Sequence, residues 1–251
     1  MQATTHVVTN RNPISVKAVL FDLDDTLCDD TSAWLACARK AAKLASRTDA
    51  SIDSEALANE FLDISYAYWF GDAATQETRS VFEVRTVQWQ EALANIGREP
   101  SRILAERLAE DYGKRRSKEI DLYPDAVSTL TALRELGICV AILSNGFSAT
   151  HVSKVENLGL NAHVDHVILA EVVGYFKPDA RIFRHALELC GCDASEAVMV
   201  GDNLISDIAG AEAAGIRSFW FNPGGMPLPD GATAPSGGQI RTLSAILSRV
   251  A

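Results

Sequence analysis

Lys17-Ala18-Val19-Leu20-Phe21-Asp22-Leu23-Asp24-Asp25-Thr26-Leu27 is an apolar run that ends in three carboxylates within four positions. Residues 18–21 read as a strand buried on both faces, the pattern of a parallel sheet covered by helices. Alternation along the strand puts Asp22 and Asp24 on one side just past its end. Two like charges held so close raise each other's pKa and oppose folding unless something positive offsets them. The chain must place a cation there, or bind one.

Beyond Leu27 the apolar spacing becomes helical and stays so for about ninety residues. It predicts helices over 32–46, 53–70, 76–96 and 100–118, broken at Arg47-Thr48-Asp49, Gly71-Asp72 and Gly97-Arg98-Glu99-Pro100. From Leu122 strands and helices alternate. Tyr123-Pro124-Asp125 opens a helix that Gly137 closes, with proline and acid in its first turn. Strands are expected at 138–143, 167–169, 197–200 and 218–221, and helices at 148–158, 179–190 and 207–214. Residues 223–238, rich in Pro and Gly, read as a loop before a last helix at 243–250. The expected organisation is a loose arm over residues 1–15 and an α/β core formed by 16–30 and 119–251. The core is a Rossmann-like parallel sheet with helices on both faces. Residues 31–118 form an inserted all-helical cap, placed by its position in the chain as a lid on the acidic strand end.

Hydrophobic residues make up 47% and charged residues 22%, the balance of a soluble globular protein. A net charge of −10 excludes a general binder of nucleic-acid polymer, which needs a basic surface. The first fifteen residues lack the apolar centre of a signal peptide, and no apolar run reaches membrane-span length. The five cysteines are odd in number and follow no disulfide-scaffold spacing, so a reducing, cytoplasmic setting is expected. Cys28 reads as a small packing residue. Cys190-Gly191-Cys192 is too close-set for a zinc site without a second pair of ligands, and no such pair stands out in the sequence.

Ligands of open parallel sheets bind beyond the carboxyl ends of the strands. There the first strand delivers Asp22, Asp24 and Thr26, the 138–143 strand Ser144-Asn145-Gly146, and the 197–200 strand Gly201-Asp202-Asn203 with Asp207 five residues past Asp202. Lys177 stands before the 179–190 helix. Asp22, Asp24, Asp202 and Asp207 make a hard, oxygen-rich set suited to Mg²⁺. The Ser144 hydroxyl and the N–H groups of its turn suit phosphate oxygens. A lysine at a helix start is opposed by the helix dipole unless an anion lies between them. A phosphate monoester with Mg²⁺ meets all these demands. One carboxylate can attack phosphorus while a second protonates the leaving alcohol and then deprotonates water.

Asp22-Leu23-Asp24-Asp25-Thr26, Ser144-Asn145-Gly146, Lys177-Pro178 and Gly201-Asp202 with Asp207 resemble, in order, the four motifs of the haloacid dehalogenase-like superfamily. The resemblance runs from about Val16 to Asn222. It implies Asp22 as nucleophile and Asp24 as acid/base. It implies Mg²⁺ on Asp22, the Asp24 backbone carbonyl, Asp202 and Asp207, with Ser144, Asn145 and Lys177 at the phosphate. The helical insert is similar to the family's cap between the first and second motifs. Dehalogenase members expel halide, which needs no proton, whereas an alkoxide needs an acid such as Asp24. The phosphatase branch is therefore implied. Gly201–Ile208 and Trp220-Phe221-Asn222-Pro223 resemble nucleotide 5′-phosphatases, and the N-acylneuraminate-9-phosphatase members are similar in the same segments.

Each motif has a plainer reading alone: Asp207 as a helix cap, Ser144 as a turn hydroxyl, Lys177 as a solvated lysine. Arg79, Arg85, Lys114, Arg115 and Arg116 read as solvated helix faces, and Trp34, Tyr66, Tyr68, Trp69 and Trp89 as core packing. No histidine shows ligand spacing. The expected function is a Mg²⁺-dependent phosphatase of small phosphorylated metabolites, nucleoside monophosphates or sugar phosphates, acting through an aspartyl-phosphate. The competing readings are a sugar-phosphate phosphomutase and a non-catalytic metabolite-binding regulator on the same fold.

Overall fold

A computed structural model describes residues 16–69 and 79–250; the expected arm at 1–15 and the break at Gly71-Asp72 lie outside them. The chain divides into two compact units, one of residues 1–28 and 122–251 and the other of residues 29–121.

In the first unit, β1 (Ala18–Phe21) is buried along its whole length, as its apolar run requires. It lies between β2 (Cys139–Ser144) and β4 (Ala197–Gly201), with β3 (His166–Leu169) outside β2, and β5 (Arg217–Phe221) and β6 (Gly238–Ile240) outside β4. All five pairings are parallel, and Phe21 is in register with Ile142 on one side and Val200 on the other. Ala18 and Leu20 pack with Ile182, Phe183, Ala186 and Ala211. Val19 and Phe21 are equally buried and point to the opposite face. Helix α5 (Ala126–Glu135) precedes β2, α6 (Ser148–Asn157) follows it, and the short α7 (Ala170–Val173) follows β3. Helix α8 (Ala180–Cys190) leads back to β4. After β4 the chain makes a π-helical turn, Leu204–Ala209, before the short α9 (Gly210–Ala213); the sequence pattern predicts one helix over 207–214 there. The predicted last helix opens as a 3₁₀ turn, Leu243–Ile246, before α10 (Leu247–Val250).

The second unit is four helices, α1 (Asp30–Thr48), α2 (Ser54–Trp69), α3 (Val81–Asn95) and α4 (Arg102–Arg116). Ala38, Ala41, Ala42 and Ala45 give α1 a narrow apolar stripe at helical spacing. Phe61 stacks on Trp89 with ring centroids 3.8 Å apart, and Tyr112 meets Phe61 edge-on at 5.1 Å. Trp89 is thus core, and the Arg85 guanidinium lies over the Tyr112 ring at 5.0 Å. Asp29, Ser80 and Ser101 cap α1, α3 and α4. The unit reaches further than the 31–118 span the pattern predicts, because its ends are tied to it. Arg116 holds Asp30 by two hydrogen bonds of 2.7 and 2.8 Å, and Glu119 pairs with Lys40 and Arg115. Among the described residues no helix is long and apolar enough to cross a membrane.

Candidate active site

Every residue of the acidic centre belongs to the sheet-bearing unit. Because β1 sits between β2 and β4, its end opens at the middle of the sheet, and Asp22 is the first residue past it. The Asp22 N–H donates to the Val200 carbonyl at 2.9 Å, extending the ladder one residue past the strand. Asp25 follows with φ 56°, the left-handed conformation among non-glycine residues that turns the loop sharply. The Leu27 and Cys28 N–H groups then return to the Leu23 carbonyl at 2.9 and 3.2 Å.

The structure brings Lys177 into this loop. Its ammonium donates to Asp22 Oδ1 at 2.6 Å and to Asp207 Oδ1 at 2.7 Å, and its side chain is 2% exposed. The solvated reading of Lys177 therefore fails. Asn145 fixes the lysine's backbone: its amide donates to the Lys177 carbonyl at 2.8 Å and its carbonyl accepts from the Lys177 N–H at 2.7 Å. The Asn145 side chain is thus engaged with the lysine's backbone. Ser144 is buried at the end of β2, and its Oγ accepts from the Gly146 N–H at 3.2 Å.

Asp207 arrives on the π-helical turn. Asn203, not Asp207, caps that turn by accepting from the Ile205 and Ser206 N–H groups. Asp207 is fully buried, and its Oδ2 accepts from the Asn203 N–H at 3.0 Å. Gly201 makes room for it, since a Cβ there would collide with the Asp207 carboxylate. Asp202 is oriented by Thr26, which donates to its Oδ1 at 3.3 Å, and by Trp220, whose indole N–H donates to its backbone carbonyl at 2.8 Å.

Carboxylate oxygens of Asp22, Asp202 and Asp207 all lie within 4.8 Å of one another. Burial, then the charges of Asp22, Asp207 and Asp25, push Asp202 up to about 9. Burial also lifts Asp22, with Asp207 and Asp24 adding to the rise and Lys177 opposing it, to about 7. For Lys177 burial works against the charge, but Asp207 and Asp22 outweigh it and hold the ammonium above its ordinary range. One lysine thus stands among three clustered acids, two of which remain reluctant to ionise. That deficit and the all-oxygen donor set fit Mg²⁺ or a cation like it.

Asp24 has other partners. Its Oδ2 meets His151 Nε2 at 2.9 Å and its Oδ1 accepts from the Lys154 ammonium at 2.5 Å. Burial opposes the Asp24 charge, yet Lys154 and His151 together hold the carboxyl well below the usual range. Sequence reasoning missed both residues. They stand three apart on α6, so they share a face, and that i, i+3 pair directly after Ser144-Asn145-Gly146 was the available signal. Gly146 lets His151 reach over the loop, because a Cβ at 146 would overlap its ring.

A model of the haloacid dehalogenase-like hydrolase family matches residues 16–215. The phosphoserine phosphatase of Thermus thermophilus is 33% identical over 84% of this chain and 91% of its own. The N-acylneuraminate-9-phosphatase of Rattus norvegicus is 30% identical over 85% of this chain and 86% of its own. Among solved structures, the HAD-hydrolase YfnB of Bacillus subtilis, bound to magnesium, superposes with a TM-score of 0.72. It is 24% identical and aligns over 94% of this chain and 98% of its own.

Proposed function

The chain belongs to the haloacid dehalogenase-like hydrolases, and we propose that it is a phosphatase that hydrolyses small phosphate monoesters through a phosphorylated Asp22. The observation that carries this reading is Asp24. A carboxyl group two residues past the nucleophile, gripped by His151 and Lys154, has a use when the leaving group is an alkoxide and none when it is halide. Named phosphatases among the relatives support the same choice.

In this mechanism an Asp22 carboxylate oxygen attacks phosphorus as the bond to the alcohol oxygen breaks. Lys177 favours the ionised form of that carboxylate and aims it, and faces the phosphoryl oxygens together with the Ser144 hydroxyl and the Asn145 N–H. Asp24 gives its proton to the departing alkoxide. A bound phosphate dianion opposes the pull of Lys154 and His151 on Asp24 and so favours the protonated form that step requires. Asp24, now ionised, removes a proton from water, which attacks phosphorus and releases phosphate from Asp22. Asp22, Asp202 and Asp207, with the Asp24 backbone carbonyl, would hold Mg²⁺, which when bound supplies positive charge against the phosphoryl oxygens. We assign the helical insert the part of a cap and the substrate to the nucleoside monophosphates or sugar phosphates.

The test is a phosphate-release screen over nucleoside monophosphates, sugar phosphates and phosphoserine, with and without Mg²⁺. Release that depends on the ion and vanishes in Asp22→Asn is the expected result. No release from any ester would sink the reading, and isomerised sugar phosphate without free phosphate would replace it with a mutase.

A further inference from the structure

Among the described residues, one other group of metal-ligating side chains has its ligand atoms within 4.8 Å of one another: Cys139, His166 and Cys190. They are the first residue of β2, the first of β3 and the last of α8. Parallel strands start at the same edge, so this group lies at the amino edge of the sheet. Ser144 lies five positions along β2 from Cys139, roughly 16 Å of strand.

The Cys139 thiol contacts Cys190 Sγ at 2.8 Å. Gly191 caps α8 in the left-handed conformation, φ 62°, and turns the chain back so that the Cys192 N–H reaches the Leu187 carbonyl. Cys192 nevertheless stays outside the group whose ligand atoms meet within 4.8 Å. In the sequence, Cys190-Gly191-Cys192 lacks a second pair of ligands. The fold brings two ligands to Cys190 from strands that start 51 and 24 residues earlier.

Thiolate sulfur with imidazole nitrogen is the donor set of Zn²⁺ and similar ions. A disulfide between Cys139 and Cys190 would use both sulfurs and leave His166 without a part. All three residues are partly exposed, which gives an ion a way in. A tetrahedral ion with bonds of about 2.3 Å to sulfur sets the two sulfurs about 3.8 Å apart, so the pair must part by about 1 Å, a small side-chain rotation. Burial holds the thiols of Cys139, Cys190 and Cys192 above their ordinary range, so they are poor nucleophiles without an ion.

We infer that Cys139, Cys190 and His166 form a three-ligand binding site for a thiophilic divalent cation such as Zn²⁺, separate from the acidic centre. Its ion would pin the starts of β2 and β3 to the end of α8.

The test is a Co²⁺ titration of the full chain, reduced with a phosphine and kept free of oxygen. Ligation by thiolate gives a near-ultraviolet sulfur-to-cobalt absorption that an all-oxygen centre cannot produce. The band is expected to saturate at one ion per chain and to be displaced by Zn²⁺. It is lost in Cys139→Ser and in Cys190→Ser and unchanged in Asp202→Asn. His166→Ala is expected to weaken Co²⁺ binding by at least about tenfold. No band from reduced wild-type protein at saturating Co²⁺, or a band that survives both serine variants, overturns the proposal. Should the variants not fold, alkylation of the wild type decides. Zn²⁺ is expected to shield Cys139 and Cys190 from iodoacetamide, and equal labelling with and without the ion also overturns the site.

Discussion

The Lys177 ammonium donates to the Asp22 carboxylate at 2.6 Å across 155 positions of sequence. The same ammonium holds Asp207, so one cation fixes the geometry of two acids brought from β1 and from the turn after β4. Removing it leaves two buried carboxylates facing each other.

Lys177→Met is therefore expected to lower turnover by about 10²–10³ and to destabilise the sheet-bearing unit by about 3–5 kcal/mol. Denaturant unfolding read by a probe in that unit checks the second figure. Wild-type stability in the variant would show that the acids are neutral in the native protein.

Asp22→Asn and Asp24→Asn should fail differently. The first abolishes turnover and any phosphorylated intermediate. The second slows turnover by about 10²–10⁴ but leaves Mg²⁺ affinity nearly intact, because the Asp24 carboxylate is committed to His151 and Lys154. Calorimetry with Mg²⁺ alone separates the two. Equal loss of ion binding in both variants would put the Asp24 side chain among the ligands.

Lys154→Met removes a charge that holds the Asp24 carboxyl low. The alkaline limb of the kcat/KM profile, where Asp24 loses the proton it must give, should then move to higher pH, with the acidic limb unmoved. A limb that stays in place would mean that Asp24 does not govern it.

Stability without metal should depend on pH through Asp202 and Asp22. Their carboxyls are raised to about 9 and about 7, above their ordinary value near 4. The folded chain thus holds protons that the unfolded chain has lost, and stability falls as pH rises from about 4 to about 9. Asp24, held low, contributes in the opposite sense only below that window. Thermal melts in a chelator should show the fall, and Mg²⁺ should flatten it. A melt that rises over the same range would contradict the crowded-acid picture.

Gly201→Ala places a methyl group against the Asp207 carboxylate. The variant should fold but bind Mg²⁺ more weakly and lose activity, while Gly231→Ala, in open space though with positive φ, should cost stability alone. Matching ion affinity in the two variants would argue against Asp207 at the centre.

The strand ends were legible because apolar runs that stop at acids, at Ser144 or at Gly201 leave a plain signature. The edge strand β6 was not, since Gly238-Gln239-Ile240 is three residues long and has one buried side chain. His151 and Lys154 look like any polar helix face, and their partner lies 127 and 130 positions away. The π-helical turn has no compositional mark, so Asp207 read equally well as a cap until Asn203 was seen in that place. The thiol cluster was hidden for a topological reason: its members begin or end different elements and meet only when the sheet is ordered.

The central position of β1 also fixes an order of assembly. Its outer partner starts at Ala197, so during synthesis the strand that carries Asp22 waits through almost all of the intervening chain for its second neighbour. At ribosomal speed this is roughly 10–35 s. The four helices over residues 29–121 have their mutual contacts complete long before then, so the nascent protein presents a finished helical body while its first strand is still unmated.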